Sequence, residues 1–175
     1  MAEAQSPFQA VLVVEATALP PKGPGHLPAV LALNQTFPVP SNRLAPKAHK
    51  ALPGILQAFL RRNPQGGQVP ALLYPRTEGC RLDPVGTLLA KLYTTQAPPL
   101  PPGRFRVVGV VVGMEGDRLE VEIRPNAHKG TLADVFTLCL LRSPGLAASW
   151  GKGEVWAFQG RLEGESLVVE EAERV

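Results

Sequence analysis

Residues 95–103 read TQAPPLPPG, four prolines in nine residues. Proline holds φ near one value and lacks an N–H, so this run belongs in neither a helix interior nor an inner strand. It reads as a stiff connector of polyproline II type. The chain of 175 residues is thereby divided into a segment 1–96 and a segment 104–175, joined by 97–103. A PPLPP run can also dock in a proline-binding groove, but a spacer accounts for it without a partner.

The net charge of +3 is unevenly divided across that connector. Residues 1–96 carry nine Lys/Arg and four Asp/Glu, and residues 97–175 carry nine and eleven. A polyanion would therefore meet the first segment. Cys80 and Cys139 stand in separate apolar runs without metal-ligand or redox spacing. This predicts two reduced, buried thiols, no structural disulfide and an intracellular protein. The apolar run 10–14 has no basic residue before it, and no stretch approaches the roughly 18 apolar residues of a membrane span. The expected location is the cytoplasm, with no membrane partner.

After the connector the periodicity is that of strands. Residues 104–112 form a first, with glycine at 109. In 118–124, Leu119, Val121 and Ile123 alternate with Arg118, Glu120, Glu122 and Arg124, which predicts a half-buried strand. Residues 135–141, VFTLCLL, are apolar almost throughout and read as a deeper third strand. SPGLAASWG at 143–151 has a capping serine, Pro144 at a first helical position and Gly151 as a stop, predicting a short helix. Residues 154–171 close the segment with a hairpin turning at Glu163, Gly164 and Glu165. Three strands, a helix and two strands over 104–173 resemble the OB-fold, a five-stranded Greek-key barrel with its helix between strands three and four. Gly109 fits that resemblance, since a missing side chain lets a long first strand coil around a barrel.

The first segment repeats parts of the second. FQAVLVVE from Phe8 parallels FRVVGVVV from Phe105, and GQVPALLYPRTEGCRL at 67–82 parallels GEVWAFQGRLEGESL at 153–167. The extra residues in the first segment include a turn at 46–51 and a helix over 53–62, with Ile55, Leu56, Phe59 and Leu60 on one face. Pro53 suits a first turn and would break a helix running through from Lys47. The fold class expected is mainly β: an OB-like barrel in 104–175, with two OB-like barrels in tandem as the extended form of the same reading. Val108, Val110 and Val112 add a second apolar face to the first strand of the second barrel, which something must cover.

No enzyme motif is present. His26, His49 and His128 lack ligand spacing, KGPG at 22–25 lacks the Lys-Ser/Thr of a phosphate loop, and the carboxylates Glu120 and Glu122 sit on a solvent face. No catalytic residue, metal or cofactor is expected. The OB resemblance implies binding across strands two and three and the loops joining strands one to two and four to five. In the second segment those loops carry Glu115, Asp117, Glu163 and Glu165, which would repel phosphates despite Arg104, Arg106 and Lys129. In the first they carry Lys22, His26, Arg76 and Arg81, with Arg43, Lys47, Lys50, Arg61 and Arg62 nearby in sequence. Phe37 and Tyr74 are the rings on which bases could stack. The expected function is non-enzymatic binding of single-stranded DNA or RNA with low sequence specificity through Lys22, His26, Arg43, Lys47, Lys50, Arg61, Arg62, Tyr74, Arg76 and Arg81. The alternative is a protein-interaction or self-association module that uses the valine face.

Overall fold

A computed structural model describes residues 8–124, 135–147 and 149–175. Its elements in chain order are β1 (Gln9–Leu19), β2 (Ala29–Ala32), β3 (Gln35–Pro38), α1 (Ala48–Arg62), β4 (Gly67–Tyr74), β5 (Thr77–Glu78), β6 (Arg81–Leu82), β7 (Leu88–Leu92), β8 (Arg104–Glu115), β9 (Arg118–Ile123), β10 (Phe136–Arg142), β11 (Val155–Glu163) and β12 (Ser166–Arg174). The chain is mainly β, as its periodicity requires. It forms two compact units. A helix-bearing unit comprises Leu12–Pro75 and Pro84–Gly103, and a C-terminal unit comprises Arg104–Val175, Arg76–Asp83 and the segment up to Val11. The connector coincides with one passage between units. The segment 76–83, expected to stay with residues 1–96, is part of the other unit.

In the helix-bearing unit β1 pairs antiparallel with β2 and with β4, β2 with β3, and β4 with β7. A parallel bridge, Leu44 to Leu89, links the chain after β3 to β7, held by Ala45 N–H to Leu89 O at 2.8 Å. Leu12, Val30, Phe37, Leu73 and Leu89 fill the core. Each such side chain contributes about 1.5–3 kcal/mol by leaving water. The last strand of this set is Leu88–Leu92, not residues 81–82, where the internal alignment puts it.

Helix α1 differs from its sequence reading. It starts at Ala48 and runs through Pro53. The missing proline N–H leaves only the His49 carbonyl without its helical donor, and His49 is exposed, so water can serve it. Ala48, Leu52 and Leu56, four residues apart, are the buried stripe. Burial of that stripe outweighs the proline penalty.

In the C-terminal unit the pairings run β8 to β9, β9 to β10, β10 to β12, β12 to β11 and β11 back to β8. The β10–β12 contact is parallel and short, Leu141 to Val168 and Arg142 to Val169. Phe105, Val107, Leu119, Val121, Ile123, Leu138, Leu140, Phe158, Leu167 and Val169 are fully buried. Gly109 permits a close approach of β8 to β9: a Cβ there would lie 2.6 Å from Val121 Cγ1 and 2.7 Å from the Glu122 carbonyl oxygen. No helix forms among the described residues of 143–151. One turn of helix gains few hydrogen bonds for the backbone it fixes. The loop instead makes a turn, with Leu146 N–H donating to Ser143 O, and buries Trp150 edge-on against Trp156 and Phe158.

Candidate functional site

The residues expected to act together fall into two different units. Arg76 and Arg81 lie on the β5–β6 hairpin, which is built into the C-terminal unit. Leu82 N–H donates to Glu165 O at 2.7 Å, Ser166 Oγ donates to Cys80 O at 3.0 Å, and Cys139 N–H donates to Thr77 Oγ1 at 2.8 Å. Cys80 and Cys139 form a disulfide, Cα atoms 4.6 Å apart across 59 residues of sequence. This corrects the expectation of reduced thiols. Sequence spacing cannot reveal a pair that meets only because a hairpin docks on β10.

The hairpin's arginines are engaged there. The Arg76 guanidinium stacks on Phe136 at 3.4 Å from the ring centroid, and burial lowers its pKa. Arg81 Nε lies 3.5 Å from Glu165 Oε1, both side chains exposed (72% and 68%). The acidic turn expected to repel a polyanion thus pairs with an arginine expected to bind one. In the same unit Glu170 joins Arg104, at 2.7 Å, to Arg161, which also binds Glu163 at 2.8 Å. Hydrogen bonding from Arg104 leads the causes that hold the Glu170 carboxyl below its ordinary value. His128 and Lys129 lie outside the described residues.

The remaining candidates belong to the helix-bearing unit. Arg43 is structural: its guanidinium covers Phe37 at 4.5 Å and donates to Gln35 Oε1 at 3.0 Å and to Pro84 O. Phe37 is 1% exposed, so it offers no platform to a base. Tyr74, at the end of β4, is half-buried beside Tyr93, whose hydroxyl is pushed up by burial and then by Tyr74. Lys22 and His26 are exposed in the β1–β2 connection. Lys47, Lys50, Arg61 and Arg62 are exposed at the two ends of α1, and none of them forms an ion pair with a described residue. Sequence reasoning missed Lys91, exposed on β7 with Nζ 5.2 Å from the Tyr93 ring centroid. Its signal was one lysine in the apolar run LLAKL.

The unit boundaries sharpen the charge division. The helix-bearing unit has seven Lys/Arg (Lys22, Arg43, Lys47, Lys50, Arg61, Arg62, Lys91) and one acid, Glu15, a net +6, which leaves −3 for the C-terminal unit. Val108 and Val110, the core of the expected docking face, are 1% and 4% exposed. Among the described residues no group of three or more His, Cys, Asp or Glu side chains could hold a metal ion, and no helix is long and apolar enough to cross a membrane. Comparison with protein-family models, curated proteins and solved structures finds no match.

Proposed function

We propose that this chain binds nucleic acid without catalysing a reaction, holding single-stranded DNA or RNA with little sequence preference on its helix-bearing unit. The carrying observation is that unit's net charge of +6 with a single acid, and the four cations at the two ends of α1, none of which forms an ion pair with a described residue. Unpaired lysines and arginines neutralise phosphates and release condensed counterions, which favours binding without reading sequence.

The OB-like reading supports the same proposal. Pairing in the order first, second, third, fifth, fourth and back to first, with a parallel third–fifth contact, is what a five-stranded Greek-key barrel requires of β8 to β12. The helix-bearing unit shares the first–second, second–third, fourth–fifth and fourth–first pairings in β1, β2, β3, β4 and β7, with α1 between the third and fourth; its third–fifth contact is the single parallel bridge from Leu44, beyond β3, to Leu89. On this reading the two units are tandem barrels, and the hairpin 76–83 is an insertion between the last two strands of the first. Cytoplasmic location goes with this function. The Cys80–Cys139 disulfide removes the reduced-thiol argument for that location, because disulfides persist chiefly in oxidising compartments.

Fluorescence anisotropy with single-stranded and duplex DNA and RNA at two salt concentrations tests the proposal. Single strands should bind, and log affinity should fall with log salt at about −0.7 per phosphate neutralised. Absent or salt-insensitive binding would sink it.

A further inference from the structure

We infer that the solvent face of α1 is the track for the phosphodiester backbone. This rests on the nucleic-acid reading and goes beyond it, because barrels of this kind are expected to bind on strands two and three and the adjoining loops. In this unit that expected surface is poor in charge. The exposed residues of β2 and β3 are Leu31, Thr36 and Pro38. The connection between β4 and β7 carries its two arginines on the hairpin that belongs to the C-terminal unit. The β1–β2 connection supplies only Lys22 and His26.

The helix has what those elements lack. At 100° per residue, Lys50, Arg61, Gly54, Lys47, Ala58, Ala51 and Arg62 occupy an arc of about 120°, opposite the stripe of Ala48, Leu52 and Leu56. All seven are exposed, and the three of the stripe are buried. With a rise of 1.5 Å per residue, the cations at the two ends stand roughly 16–23 Å apart. Between them that arc presents Ala51, Gly54 and Ala58, with exposed Gln57 at its edge, and the small side chains let a chain lie close along the helix.

Two features separate this face from an ordinary solvated one. Exposed helix faces usually intersperse acids, which form pairs three or four residues from their cations, and α1 contains no acid at all. Lys47 and Lys50 also stand at the helix N-terminus, where the macrodipole disfavours positive charge. An anionic partner removes both penalties. The face carries no aromatic ring, so it grips phosphates and leaves the bases unread.

The test measures binding of a fluorescent oligothymidylate across a salt series with the full chain and with K47Q/K50Q/R61Q/R62Q. The four-fold variant should flatten the slope of log affinity against log salt by about 3, four contacts at roughly 0.7 each. The double variants K47Q/K50Q and R61Q/R62Q should each remove about half of that, and they carry the test if the four-fold variant does not fold. The charge-preserving K47R/K50R should keep the parent slope. Binding by the parent with an unchanged slope in the variants would overturn the helix track and leave the nucleic-acid reading standing. No binding by the parent would remove both.

Discussion

Single atoms decide several positions. Gly109 and Gly160 permit close approach of strands: at Gly160, where the β11–β12 register shifts, a Cβ would overlap the Val168 carbonyl oxygen. Gly109→Ala and Gly160→Ala should each lower stability by at least about 1–3 kcal/mol, read as a shift in urea midpoint. Glu154 accepts from Trp156 Nε1 at 2.9 Å and from Gly151 N–H at 2.9 Å, and these bonds, the Trp156 one foremost, hold its carboxyl below the ordinary 4.5. A carboxyl depressed in the folded state stabilises above its unfolded pKa, and that contribution is lost as pH falls through the folded value. Stability should therefore fall as pH drops below about 4.5, and Glu154→Gln should flatten this fall in thermal melts followed by tryptophan fluorescence.

At the scale of elements, context overrides local preference in both directions. Pro53 sits five residues into α1, where proline costs up to about 3 kcal/mol relative to alanine. Pro53→Ala should raise the thermal midpoint; an unchanged or lower one would mean that the ring's packing offsets its backbone cost. The β5–β6 hairpin has only two residues in each strand and could not hold together in water alone. Its disulfide and its bonds to β10 and β12 hold it. Cys80→Ser with Cys139→Ser should cost about 2–4 kcal/mol and speed amide exchange, with Leu82 and the Cys139 amide as reporters.

At the scale of the molecule the division of charge governs which cations can serve a ligand. Arg81 and Arg161 are each paired with acids of the C-terminal unit. Arg81→Ala and Arg161→Ala should leave oligonucleotide affinity within about twofold, whereas Lys22→Gln with Lys91→Gln should weaken it and reduce the salt slope by roughly 1–1.5. An Arg81→Ala effect as large as that of the lysine pair would show that the β5–β6 hairpin takes part in binding.

Properties that each residue carries by itself are legible in the amino-acid sequence. Alternation identifies β9, whose Leu119, Val121 and Ile123 are buried while Arg118 and Glu120 are exposed. Proline content marks the passage ending at Gly103, and counting charges locates the basic region. The four exposed cations of α1 stand out in the sequence too, but their shared face depends on the helix beginning at Ala48. The sequence does not show where 76–83 goes, because Thr77 and Cys139 are 62 residues apart and their contact depends on the docking of a whole hairpin. Nor does it show that Arg76 and Phe37 are occupied by packing, or that Arg81 faces Glu165 in an exposed ion pair. Periodicity and charge are local, whereas the disulfide, the stacked arginine and the loop that replaces a helix around Trp150 arise from contacts between distant segments. Those contacts only the tertiary structure decided.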